Sequence, residues 1–153
     1  MLKALPQLDL GDYLPYLVNR LGNSLADQFT EGALERERLS IVMWRVMVVL
    51  AATGAQRQID LADLTSIETS TLSRLVSRMV RQRLVTRARS TSSNREVVID
   101  LSDKGSALVA RLIPIGREFE KKAVAGVSAA ELAIVKRCLR RMYDNVRRDD
   151  ERG

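Results

Sequence analysis

Apolar positions recur at helical spacing along most of this chain and change to a strand-like pattern at one place only. Leu14, Leu17, Val18, Leu21, Leu25 and Phe29 follow the i, i+3, i+4, i+7 rule of an amphipathic helix. Pro15 falls in its first turn, where a missing N–H costs nothing, and Asp12 is the expected cap. Residues 1–11 read as an arm. A polar, sign-mixed connector, EGALERERL, leads to Ser40 as the next cap and then to IVMWRVMVVLAA, which is apolar on nearly every side and stops at Gly54. A helix without a polar face belongs in the middle of a fold. IDLADL predicts a short helix, residues 65–68 a turn, and TSTLSRLVSRMVRQR a further helix with Leu72, Leu75, Val76, Met79 and Val80 on one stripe. LVTRA and EVVIDL are short β-branched runs around the polar RSTSSNR, which predicts a hairpin with a long, mobile tip. Ser102 caps the next helix, DKGSALVARLIPIGREFEKKAV, which Pro114 and Gly116 should bend. Ser128 and Glu131 form a capping box that opens the last helix, with Leu132, Val135, Leu139, Met142 and Val146 on its stripe.

These elements predict a mostly α protein with a small β-hairpin. The order helix, short helix, turn, helix, hairpin is that of a winged helix-turn-helix flanked by long helices. No apolar run approaches the ~20 residues that span a bilayer, and neither a secretory leader nor a transit peptide is legible at the N-terminus. The expectation is a soluble, cytoplasmic protein without a membrane partner. The single cysteine, Cys138, cannot close an internal disulfide and, beside Leu139, reads as a small buried hydrophobe.

Charge sharpens the picture. Opposite its apolar stripe, the helix beginning at Thr69 carries Ser70, Ser73, Arg74, Ser77, Arg78 and Arg81, and no Asp or Glu occurs between Thr69 and Glu96. A merely solvated face mixes signs, because like charges at i,i+4 repel. The net charge of the chain is +6. Residues 56–95 hold eight arginines against Asp60, Asp63 and Glu68, an excess of five in about a quarter of the length. Such a field suits phosphate backbones, although an acidic protein or an anionic surface would also be attracted. Histidine is absent, which excludes His acid/base chemistry, Ser-His triads and His-rich metal sites. No Walker or dinucleotide glycine motif occurs. Asp149 and Asp150 lie in a charged tail. Neither catalysis nor a cofactor or metal is expected.

The segment LADLTSIETSTLSRLVSRMVRQRLVTR, followed by SNREVVIDLSDKG, resembles the MarR family of bacterial transcriptional regulators. The resemblance rests on Ser70, Thr71, Leu72, Ser73 and Arg74 in the recognition helix, Leu84, Val85, Thr86 and Arg87 in the first wing strand, and Leu101, Ser102, Asp103, Lys104 and Gly105 at the following helix. It extends over essentially the whole chain. It departs at the wing tip, where the family's D-x-R becomes Ser93, Asn94 and Arg95, so the carboxylate that would hold a neighbouring arginine is missing.

The resemblance implies a homodimeric repressor of double-stranded DNA, released by a ligand and reading a palindrome. It divides the chain into an N-terminal arm and dimerisation helix (1–36), a winged DNA-binding domain (37–101) and C-terminal dimerisation helices (102–153). Ser70, Thr71, Ser73, Arg74 and Ser77 would enter the major groove, with Arg74 the main reader of sequence. Arg78 and Arg81 would grip phosphates, and Arg87, Arg89 and Arg95 would surround the wing. For Arg81 and Arg83 the competing role is to complement the C-terminal end of the helix dipole. A small aromatic or phenolic anion would sit near Tyr13, Tyr16, Arg20, Met43, Trp44, Met47 and Arg117, although the apolar ones among these also suit plain core. Arg20, if buried, would demand an anionic partner. The alternatives are a non-catalytic winged-helix module docking an acidic protein or RNA, and an enzyme using scattered carboxylates.

Overall fold

The computed structural model describes residues 7–90 and 96–150, and the chain divides into two compact units, Met1–Phe119 and Glu120–Gly153. In the first, α1 (Leu14–Phe29) starts from Tyr13, an extended residue that makes no side-chain cap. Asp12 is therefore not the cap expected of it. Its N–H donates to the Asp9 carbonyl at 3.2 Å in a turn that ends before the helix begins, one residue too early for capping.

The stretch read as a polar connector is helical, a π turn at Thr30–Leu34 followed by a 3-10 turn at Glu35–Glu37. Ala33 and Leu34 are buried there, and the two irregular turns erase the 3.6-residue period that would have revealed them. Arg38, left-handed with φ 56°, lets the Leu39 N–H donate back to the Leu34 carbonyl at 3.0 Å and closes the segment.

Helix α2 (Ile41–Thr53) follows, with Ser40 Oγ accepting from the Met43 N–H at 3.3 Å and Gly54, φ 76°, ending it. Its Met43, Val46, Met47 and Leu50 are buried beside Leu34, Leu61, Leu72, Val76, Met79 and Ile99, so the all-apolar helix is indeed the centre of the core.

Helices α3 (Gln58–Thr65) and α4 (Thr69–Arg81) form the helix-turn-helix. Ser66 makes the turn at φ 53°, and the buried Thr65 hydroxyl donates to the Leu61 carbonyl at 2.6 Å. Of the stripe on α4, Leu72, Val76 and Met79 are buried, Leu75 is half-buried and Val80 is exposed at the edge.

Strands β2 (Val85–Arg89) and β3 (Val97–Leu101) pair antiparallel, from Val85 opposite Leu101 to Arg89 opposite Val97. A third strand, β1 (Gln56–Arg57), adds to the free edge of β3 and gives the order β1-β3-β2. Two polar residues carry no alternation, so β1 has no sequence signal. The tip residues 91–95, including Ser93, Asn94 and Arg95, lie outside the described part, as do residues 1–6 of the arm.

Helix α5 (Asp103–Ala123) opens with Ser102 Oγ accepting from the Gly105 N–H at 2.9 Å and continues through Pro114. In the second unit, α6 (Ala129–Asp150) begins at the predicted capping box: Glu131 N–H donates to Ser128 Oγ at 3.2 Å, and Ser128 N–H to Glu131 Oε2 at 2.8 Å. Cys138 is exposed, contrary to its reading as a buried hydrophobe. No described helix is long and apolar enough to cross a membrane.

Candidate nucleic-acid interface

The exposed side of α4 is built from its cap outward. Glu68 is the N-cap, with Oε1 accepting from the Ser70 N–H at 2.9 Å and Oε2 from the Thr71 N–H at 2.9 Å. The Ser70 hydroxyl donates to the same Oε2. These bonds, the hydroxyl's first and then the two backbone N–H groups, lower the Glu68 pKa to about 2. Sequence reasoning left Glu68 in the turn. A carboxylate immediately ahead of Thr69, Ser70 and Thr71 is the signal that could have marked it.

Beyond this cap, Arg74, Arg78 and Arg81 are exposed at i, i+4 and i+7 and have no hydrogen-bond or ion-pair partner among the described residues. Ser70 and Thr71 are exposed at the front of the same face. Ser73 and Ser77 are half-buried, and Ser77 Oγ donates to the Ser73 carbonyl at 2.9 Å.

The other arginines of the basic segment are used differently. The Arg87 guanidinium reaches Ser77 Oγ, the Ser73 carbonyl and Gln58 Oε1, each at 3.2 Å, and so ties β2 to both helices of the helix-turn-helix. Arg57 forms a two-point pair with Asp60, at 2.6 and 2.9 Å, and reaches Glu96 Oε1 at 2.9 Å. The Asp60 bonds, then the Glu96 bond, raise its pKa. The positive field counted along the sequence is therefore weaker at Arg57 than its charge suggested, and Glu96 fastens the base of the wing to the start of α3. Arg89 is exposed at the end of β2, and Arg95 lies outside the described residues.

The C-terminal end of α4 is bolted to α5. Ser102 Oγ donates to the Arg83 carbonyl at 2.6 Å, Lys104 Nζ to the Gln82 carbonyl at 3.0 Å, and Ser102 N–H to the Leu84 carbonyl at 3.1 Å. A Cβ on Gly105 would lie 2.0 Å from the Leu84 carbonyl oxygen, so the helix and the strand approach as closely as only glycine permits.

The residues expected near a ligand do not form one set. Met43 and Met47 are wholly buried core. Half-buried Trp44 lies 5.3 Å from the Phe29 ring, which is 5.6 Å from Phe119, and Gly116 rests against Phe29 and Trp44. Tyr13, Arg20 and Arg117 are exposed and Tyr16 is half-buried. Arg20 stands 6.0 Å over the Tyr16 ring, so it needs no anion to compensate burial.

Comparison with known proteins places this geometry. The model of the MarR family matches residues 39–97, which contain α2, the helix-turn-helix and most of the wing. The HTH-type transcriptional repressor NicR of Pseudomonas putida is 24% identical over 108 residues, 71% of this chain and 68% of NicR. A MarR family transcriptional regulator from Silicibacter pomeroyi superposes with a TM-score of 0.82 at 26% identity, over 94% of this chain and 97% of that one. BpsR of Bordetella bronchiseptica, from a structure on regulation of its DNA binding by 6-hydroxynicotinic acid, gives a TM-score of 0.81 at 21% identity, over 91% of this chain and 99% of that one.

Proposed function

On the match of the MarR family model to residues 39–97, we propose that this chain is a MarR family winged-helix transcriptional regulator, a homodimeric repressor that reads a palindromic operator and is released by a small aromatic anion. Members of the family are regulators rather than enzymes. The observation that carries the DNA reading is the face of α4, where Arg74, Arg78 and Arg81 stand exposed without any partner among the described residues. Three cations left uncompensated on one helix face repel one another, and a polyanion relieves that cost. Arg74, nearest the front, takes guanine O6 and N7, Ser70 and Thr71 meet neighbouring edges, and Arg78 and Arg81 hold phosphates. Ser73, Ser77 and Arg87 keep the reading helix and the wing in register. Arg89 and Arg95 are assigned to the flanking backbone. Residues 37–101 carry this surface, while 1–36 and 102–153 carry the dimer, and the protein works in the cytoplasm.

The test is binding to palindromes in the promoter beside its own gene, by mobility shift. Arg74→Ala should lose about 1–3 kcal/mol at the operator and flatten discrimination between bases. Equal weakening on random duplex would remove Arg74 from sequence reading, and no preference of the parent protein for any duplex would remove the repressor reading itself.

For the effector, support comes from the aromatic cluster of Phe29, Trp44 and Phe119, with the exposed cations Arg20 and Arg117 and the phenols of Tyr13 and Tyr16 as the polar groups assigned to it. BpsR adds an example of regulation by a pyridine carboxylate. Trp44 is the only tryptophan, so its fluorescence reports on this cluster directly. Titration with hydroxylated benzoates and nicotinates should quench it and release operator DNA. Unchanged emission and unchanged DNA binding across that series would exclude this class of effector.

A further inference from the structure

The cap of α4 does more than start a helix. An ionised carboxylate can only accept hydrogen bonds, so the contact between Ser70 Oγ and Glu68 Oε2 commits the single hydroxyl proton of Ser70 to Glu68. Two backbone N–H groups of the first turn, those of Ser70 and Thr71, are held by the same carboxylate. What Ser70 presents outward is therefore lone pairs alone. Turning the proton to another acceptor would break a charge-assisted bond, which is about twice as strong as a neutral one.

The major groove offers two kinds of polar edge to such a group. Adenine N6 and cytosine N4 carry amino hydrogens, whereas guanine O6 and thymine O4 are acceptors. Resting on the proposed DNA reading, we infer that Glu68 is a specificity-determining positioning residue: it locks Ser70 as an acceptor, so that the base facing Ser70 must present an amino group, adenine or cytosine. A keto oxygen there would meet lone pairs with a carboxylate behind them and no proton available to bridge the two. The same negative charge at the front of α4 offsets the helix dipole, which would otherwise attract a phosphate to this end. Phosphate affinity is thereby left to Arg78 and Arg81, further along the helix, and the front is reserved for base edges.

The experiment is selection of bound sequences from a random duplex pool with the parent protein, Glu68→Ser, Ser70→Ala and the double variant. Serine at position 68 keeps a side-chain cap for Thr71 and leaves the Ser70 hydroxyl free to donate. The parent should show an amino-bearing base at one position of each half-site. Glu68→Ser should admit guanine or thymine there, with discrimination falling roughly tenfold and the rest of the motif unchanged. Ser70→Ala keeps both backbone bonds to Glu68, so it folds, and should lose the preference at that same position. In its background Glu68→Ser should have no further effect there. A Glu68→Ser motif identical to the parent's overturns the inference, as does a Ser70→Ala motif that keeps the preference. A parent protein that enriches no motif at all overturns the DNA reading beneath it.

Discussion

At the scale of single residues, one tight constraint is a backbone contact made at Gly105. Gly105 is one letter of Leu101 to Gly105, and its reason is the Leu84 carbonyl that occupies the space of a side chain. Because the obstructing atom is backbone, it cannot swing away. Gly105→Ala should therefore lose about 1–3 kcal/mol of stability, more if the strand must shift, read as a lower urea midpoint. Stability unchanged within error would mean that α5 and β2 separate freely. Glu68 adds a pH dependence whose sign is fixed by the direction of its shift. Its pKa is about 2 in the folded protein and about 4.3 in an unfolded chain. Its stabilising contribution is present in full above the unfolded value and is lost as pH falls through the folded one. Glu68→Gln should accordingly be less stable than the parent near neutral pH, and the gap should close as acid is added below about pH 4. Parallel curves down to the acid limit would mean that the carboxylate is not held in this way. Cys138 shows what residue-level reading misses: its type and its apolar neighbour suggested burial, yet it is exposed on α6.

Among the elements, regular ones were legible and irregular ones were not. The stripes of α1 and α4, the all-apolar α2, the caps Ser40 and Ser128, and the pair β2 and β3 all follow from apolar pattern and end chemistry. The π and 3-10 turns at residues 30–37 and the two-residue strand β1 have no period to read, since they exist because Leu34 finds the core and because the edge of β3 is free. Arg87 illustrates the same limit at the proposed site. Its position in the wing strand suggested a cation reaching DNA, and no pattern announces that its guanidinium also joins three acceptors on α3 and α4. A lysine preserves charge but cannot serve three divergent acceptors as a planar guanidinium does. Arg87→Lys should therefore speed hydrogen exchange in β2 and weaken DNA binding several-fold, with the salt dependence of binding nearly unchanged. If Arg87 were instead a phosphate contact, lysine would substitute for it without loosening the strand. If it contacted nothing, neither measurement would move.

For the molecule as a whole, the surface poses a question that a lone chain does not answer. On α1, Leu14, Leu17, Val18, Leu21 and Leu25 are exposed, and on α6 so are Ile134, Val135, Leu139, Tyr143 and Val146. Each unit thus carries an apolar helix face repeated at helical spacing, of the kind that a partner subunit covers in a two-fold assembly. The proposed DNA reading requires the same thing independently, because one half-site gives weak specificity and the second half-site enters as an intramolecular event only if the two α4 helices are joined. Leu139→Glu places a charge in the middle of the α6 stripe and leaves the sequence of α4 and the wing unchanged. It should convert the protein to a monomer in sedimentation at low micromolar concentration while the helical circular dichroism of the winged domain persists. Operator affinity should fall on the order of 100-fold or more, whereas binding to random duplex, which needs only the cations of one α4, should fall far less. A variant that remained dimeric would move the interface off α6. One that became monomeric yet bound its operator undiminished would show that the chain reads DNA one half-site at a time.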